Sequence, residues 1–205
     1  MTTANKITIC RILLIPLFIW LTLDYIRDWQ HGDREWQRWL ACGVFALAAV
    51  SDAVDGYIAR RYNQKTELGT YLDPLADKLL LVSALVLLSV RFKDKSPFEL
   101  LPLWFPVLVI SRDLIILGGF ILIHIITGHS RARPRLVGKA ATLFQMITLG
   151  WILLQVHAPS FKWPLYVAGL CTFISGIWYI LDGITQLNAH EQKKTPPVAR
   201  QAKLD

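Results

Sequence analysis

Cysteine is scarce in this chain, and its placement rules out pairing. Cys10, Cys42 and Cys171 each stand in an apolar run at no disulfide or metal-ligand spacing, which argues against a disulfide framework or a zinc site and leaves them as small packing residues. Charge is scarce too. Only 18% of residues are charged and 54% are hydrophobic, whereas soluble domains carry about 25% charged residues. That balance indicates a membrane protein. Acidic residues are the rarer sign, 15 against 22 Lys and Arg, for a formal net charge of +7. The basic residues gather between apolar runs and in the tail, a pattern that suits an anionic bilayer or anionic substrates and not nucleic acid. No internal repeat is visible.

What the sequence does have is long apolar runs. A helix needs about 20 residues to cross the hydrocarbon core, and six runs qualify, at roughly 7–26, 38–60, 71–91, 100–126, 136–156 and 161–186. Spanning segments must satisfy their backbone groups internally, so the expected fold is an all-α integral membrane protein with six transmembrane helices. The fourth run is overlong, and a tilt or a kink at Pro106 is expected there. Residues 1–188 form one membrane catalytic domain in this reading, and 189–205 ("AHEQKKTPPVARQAKLD") a polar, disordered tail. With the N-terminus in the cytoplasm, that side collects thirteen Lys and Arg, including Arg60, Arg61, Lys65, Arg131, Arg133 and Arg135, against seven on the other. The positive-inside rule therefore places both termini in the cytoplasm, with Trp29, Trp36, Trp39, Trp104 and Trp163 as an aromatic belt on the far side.

Against this apolar background the stretch "SDAVDGYIARR" is anomalous, because an ionised side chain inside a bilayer costs roughly 2.5 to 3.5 kcal/mol or more. The next helix repeats the anomaly in "GTYLDPLADKLLL". Asp52 and Asp55 are three apart and Asp73 and Asp77 four apart, so each pair shares one face of its helix. The hairpin between the helices brings all four to one level, facing a cavity open to the cytoplasm. Four clustered carboxylates repel each other and call for one or two divalent cations. No His or Cys occurs from residue 43 to residue 123, so the ligand set is all oxygen and favours Mg2+ or Mn2+ over zinc. Two such ions would clamp a phosphoryl group. Gly56 and Gly69 leave room for a bulky ligand, and Arg60 can pair with a phosphate.

The full spacing is Asp52, two residues, Asp55-Gly56, two residues, Ala59-Arg60, eight residues, Gly69, three residues, Asp73, three residues, Asp77. It resembles the signature of the CDP-alcohol phosphotransferases, membrane enzymes of phospholipid synthesis, at every position. The resemblance implies a six-helix fold, a homodimer, and metal binding by Asp52, Asp55, Asp73 and Asp77. It also implies that Asp55, Gly56, Ala59, Arg60 and Gly69 bind the CDP part of the donor and that Asp77 is the base activating the acceptor hydroxyl. Three further stretches, "NKITICRILLIPLF", "DPLADKLL" and "RLVGKAATLFQM", resemble the phosphatidylglycerophosphate synthases and their cardiolipin-synthase relatives. The former transfer phosphatidyl from CDP-diacylglycerol to glycerol 3-phosphate with release of CMP; the latter use phosphatidylglycerol as acceptor. "ISRDLIILGGF" leans towards the cardiolipin branch.

Either acceptor carries a phosphate and needs a cationic pocket. Arg112 and Lys139 are the candidates for it, with Arg131, Arg133 and Arg135 at the entrance. Arg112 could instead be neutralised by Asp113 or by a carboxylate of another helix, and the Arg131 to Arg135 cluster could be a positive-inside anchor. Arg11 could snorkel to headgroups or join the site. Asp182 and the scattered His124, His129 and His157 read as interfacial. A cation channel or transporter is the competing class, and it would place polar groups across the whole membrane depth. The expected orientation has a direct check. A cysteine introduced at position 64 or 132 should react with a membrane-impermeant thiol reagent only after the cytoplasmic face is opened, and labelling of intact cells would overturn it.

Overall fold

The apolar runs form six helices in the computed structural model: α1 Thr3–Asp28, α2 Glu35–Arg61, α3 Glu67–Ser89, α4 Trp104–Thr127, α5 Leu136–Leu153 and α6 Lys162–Lys194. The structure describes residues 3–28, 35–61, 67–91, 97–127, 136–156 and 162–194. Within these, side chains are described except for 3–7, 52–61, 67–74, 120, 124, 126–127, 136 and 186–194. Among the described residues there is no strand.

All six expected helices are present, with three differences from expectation. The fourth begins at Trp104, not near residue 100, because 97–103 runs as a connection that pins Leu101 N–H to the Leu88 carbonyl (3.0 Å) and buries Phe98 and Leu101. Pro106 consequently lies in the first turn of α4, where its missing N–H costs no intrahelical bond, so the expected cause of a kink is removed. A proline does fall well inside α1, at Pro16. The sixth helix continues to Lys194, into the stretch read as a polar tail. By length and composition α1, α4 and α6 are candidate membrane spans, and α5 carries a shorter apolar stretch, Val137–Leu153.

Helix α1 packs along both α2 and α3, while α2 and α3 meet each other over a much shorter stretch. Helix α6 packs on α4 and α5. The apolar core among the described side chains draws on all six helices. It joins Phe18 and Leu21 of α1, Phe45 and Ala48 of α2, Leu81, Leu85 and Leu88 of α3, Phe105 of α4, Leu149 of α5 and Leu165 of α6. It reaches to about a turn from the motif, at Ala48 four residues before Asp52 and at Leu81 four residues after Asp77. The Phe18 and Phe45 rings, 5.6 Å apart, seal the α1/α2 seam. Outward-facing Leu114, Leu117, Leu122 and Ile125 of α4 are exposed, as a lipid-facing surface requires.

The end remote from the motif is closed by a polar clamp. Glu35 accepts from Tyr25 Oη (3.2 Å) and Arg38 Nε (3.0 Å), Arg38 also donates to the Leu154 carbonyl (3.1 Å), and Gln155 donates to the Pro97 carbonyl (2.9 Å). Gln155 sits at φ 53° just past α5, a left-handed conformation uncommon for a residue with a side chain. Its two side-chain contacts, to Pro97 and to Tyr25 Oη at 3.4 Å, hold it there.

Midway along the bundle, Gln145 of α5 donates to Thr172 Oγ1 of α6 at 2.8 Å, and both are buried. Thr172→Val would strand the Gln145 amide in an apolar setting and should destabilise the protein by about 1 to 2 kcal/mol. Adding Gln145→Leu should recover most of the loss in a thermal melt in detergent.

Candidate active site

The two acidic pairs fall on the helical stretches that end α2 and begin α3. The side chains of Asp52, Asp55, Gly56, Ala59, Arg60, Gly69 and Asp73 lie outside the described residues. Asp77 is described, one turn further into α3, with a side chain 34% exposed. Its neighbour Ala76 is fully buried, so the helix face of Asp77 borders the packed interior while the carboxylate keeps an opening.

Arg11 of α1 supplies the counter-charge. Its NH1 lies 2.7 Å from Asp77 Oδ1, and the arginine side chain is completely buried. Its Nε makes a longer contact, 3.4 Å, to Ser51 Oγ, the residue immediately before Asp52. The hydroxyl of Ser51 is turned for this because it donates its own proton to the Ala48 carbonyl (2.8 Å). A snorkelling Arg11 is thereby corrected: the side chain points inward, because an ion pair with Asp77 compensates a charge that would otherwise be stranded in the bundle. The sequence narrows the choice of partner without deciding between the two orientations. No acidic residue stands within four positions of Arg11, so a partner had to come from another helix, and α2 and α3 carry the surplus carboxylates.

A second cationic group lies beside the first. Lys78 of α3 pairs with Asp113 Oδ2 of α4, and Asp113 Oδ1 also receives Arg112 NH1 at 2.8 Å. Arg112 NH2 donates to Ser175 Oγ of α6 (2.9 Å), and its guanidinium lies 5.7 Å from the Tyr179 ring centroid. Of the two roles open to Arg112 in the sequence, pairing with Asp113 is the contact observed. Its Nε is buried without a hydrogen-bond partner. Lys78 and Ser175 are functional candidates that sequence reasoning missed, and Asp113 is one it named only as a partner of Arg112. Lys139 is exposed near the start of α5. The preceding Gly138 packs against Arg112 closely enough that a Cβ would come within 3.0 Å of NH2. The two acceptor-phosphate candidates therefore stand on adjoining stretches of α4 and α5.

Among the described residues no three His, Cys, Asp or Glu side chains cluster as a metal site, and three of the four expected ligands are not among them. The chemistry of the donor set fits a hard divalent ion: it is all carboxylate, and Asp77 is partly open and already sits where a positive charge is stabilised.

Paired acidic helices, a buried arginine on one of their carboxylates and a flanking cationic cluster thus stand together within an apolar bundle. The chain belongs to the CDP-alcohol phosphatidyltransferase family, whose sequence profile matches residues 1–178. It is 37% identical over 186 residues to the CDP-diacylglycerol–glycerol-3-phosphate 3-phosphatidyltransferase of Bacillus subtilis (strain 168), covering 85% of this chain and 91% of that one. It is 30% identical to the protein of the same name from Escherichia coli (strain K12), over 89% of this chain and 91% of the other. A cardiolipin synthase (CMP-forming) of Streptomyces coelicolor is 36% identical over 76% of this chain and 66% of its own length.

The shared carboxylate of Asp113 yields a test. Asp113→Asn leaves Arg112 buried beside a neutral amide and removes the tie between α3 and α4, which should cost about 3 kcal/mol. Unfolding monitored in detergent should show it, whereas Lys78→Gln, removing the more exposed partner, should cost under about 1 kcal/mol.

Proposed function

We propose that this protein transfers the phosphatidyl group of CDP-diacylglycerol to the hydroxyl of glycerol 3-phosphate, forming phosphatidylglycerophosphate and CMP. The observation that carries the reading is the complete eight-position motif on α2 and α3, whose one described carboxylate, Asp77, is partly open and paired to a buried arginine. The named activity of the relatives that match most of the chain supports the same donor and acceptor.

In this mechanism Asp77 accepts the proton of the acceptor hydroxyl, and the freed oxygen attacks the phosphorus of the phosphatidyl group. The bond from that phosphorus to the bridging oxygen breaks, and CMP leaves with the electron pair. No covalent enzyme intermediate is required. Asp52, Asp55, Asp73 and Asp77 would hold one or two Mg2+ or Mn2+ ions, which when bound neutralise the diphosphate and polarise it for attack. Asp55, Gly56, Ala59, Arg60 and Gly69 hold the CDP moiety, and Arg112 and Lys139 hold the acceptor phosphate. The protein acts as a homodimer in the cell (inner) membrane, crossing it six times, with the active site and both termini towards the cytoplasm.

Phosphatidylglycerol as acceptor, giving cardiolipin, is the second reading. It is favoured by the "ISRDLIILGGF" stretch, which leans towards the cardiolipin branch, and by the likeness to a cardiolipin synthase over 76% of the chain. A cation path is disfavoured, because the apolar core among the described residues closes the half of the bundle away from the motif.

Supplying purified protein with CDP-diacylglycerol and each acceptor in turn decides between the two transferases. Phosphatidylglycerophosphate with the first acceptor supports our reading; cardiolipin from phosphatidylglycerol alone overturns it. Asp77→Asn should abolish CMP release while leaving the protein inserted, and activity within tenfold of the parent would remove Asp77 from the base role. Lys139→Gln should raise the Michaelis constant for glycerol 3-phosphate by roughly ten- to a hundredfold, the loss of one charge-assisted hydrogen bond, with that for CDP-diacylglycerol almost unchanged. Arg112→Gln should act in the same direction.

A further inference from the structure

We infer that Arg11 is the positioning residue of the carboxylate site, the group through which α1 sets where the acidic stretches of α2 and α3 stand relative to each other. Its consequence for turnover rests on the phosphatidyl-transfer reading above. The geometry behind it does not.

Three observations converge on this assignment. First, Arg11 is entirely buried, about 12 Å into α1 counted from Thr3 at 1.5 Å per residue. A guanidinium at that depth is tolerated only when its charge and its donors are engaged. Second, those donors reach two different helices. NH1 holds Asp77 Oδ1 at 2.7 Å on α3, and Nε approaches Ser51 Oγ at 3.4 Å on α2, next to Asp52. Third, among the described residues α2 and α3 meet each other over a short stretch only, while both pack along α1. The described parts of α2 and α3 are therefore held relative to each other largely through α1, and beside Ser51 and Asp77 Arg11 makes the connection. Arginine suits this task because its planar fork spans two acceptors at fixed geometry, whereas a lysine offers one point charge on a flexible stem.

Holding Asp77 Oδ1 also fixes the plane of the carboxylate, and with it the direction from which a proton or a cation must approach. A base displaced by an ångström loses about a hundredfold in rate even when its substrates still bind. Arg11 does not touch substrate in this arrangement. It acts through Asp77.

The test uses the full chain in detergent or nanodiscs, as the variants Arg11→Gln, Arg11→Lys, Asp77→Asn and the double variant Arg11→Gln/Asp77→Asn. One readout needs no activity. If Arg11 and Asp77 are a coupled pair, the double variant should melt within about 1 °C of the more damaged single variant; additive losses would overturn the pairing. The other readout is the kinetic split. Arg11→Gln should lower kcat about 10- to 100-fold with both Michaelis constants within about threefold of the parent, and Arg11→Lys should recover part of the loss but not all. A Gln variant that melts like the parent and turns over within twofold of it overturns the assignment. Should the Gln variant fail to insert, Arg11→Lys carries the kinetic test, and parental turnover in that variant overturns the two-helix clamp. A parent that releases no CMP sinks the transferase reading by itself, while the melting cycle still decides whether Arg11 holds Asp77.

Discussion

An ionised carboxylate inside an apolar helix bundle must be compensated, and in this protein the compensation of Asp77 by Arg11 is the constraint on which the other features depend. It draws α1 against the acidic ends of α2 and α3. It also explains how a helix as apolar as α1 can carry a fully buried cation: the cost of burying either charge alone exceeds what the helix gains from packing, and together the costs largely cancel. The same logic repeats on the other side of α3, where Asp113 serves both Lys78 and Arg112. The two groups stand back to back on consecutive residues, Asp77 and Lys78. One turns to α1 and the other to α4, so beside Asp77 charge holds α3 on two flanks, while Leu81, Leu85 and Leu88 pack it further along.

Much of this was legible in the amino-acid sequence. Apolar run length implied six helices because backbone groups in hydrocarbon have no alternative to internal hydrogen bonding, and the spacing of Asp52, Asp55, Asp73 and Asp77 implied a shared face within each pair because helical period is a local property. What was not legible depended on pairings distant in sequence. Arg11 and Asp77 are 66 residues apart, and nothing local to α1 distinguishes a cation that snorkels from one that turns inward. Ser175 carried no signal, being one small polar residue in an apolar helix, until α4 brought Arg112 to it. The start of α4 was misjudged for a related reason: 97–103 is apolar enough to read as helix, yet its Leu101 N–H is satisfied by Leu88 of α3, a tertiary bond that hydropathy cannot show.

Arg112 illustrates how a buried cation can serve packing and ligand recognition at once. Two of its nitrogens are engaged by Asp113 and Ser175, and Gly138 approaches so closely that no larger residue fits without movement. A guanidinium held this rigidly loses little freedom when an anion arrives, which favours recognition. Its pairing with Asp113 has the opposite effect, since an incoming phosphate meets a partly neutralised charge. On the proposed reading, the balance between those two effects, and not the presence of the arginine alone, sets which acceptor phosphate the pocket prefers.

The remaining feature is the asymmetry between the two ends of the bundle. Aromatic and branched side chains fill the half remote from the motif, and the Tyr25, Glu35, Arg38 and Gln155 clamp ties α1, α2, the 97–103 connection and the end of α5 together beyond it. At the motif, the described polar contacts include the ion pairs Arg11–Asp77, Lys78–Asp113 and Arg112–Asp113, and Asp77, Lys78 and Lys139 are partly or largely exposed. Regions with dense apolar packing open rarely, and regions held by a small number of polar contacts open at much lower cost. Among the described residues, then, the remote end is held by apolar packing and the stretch beside Asp77 by ion pairs.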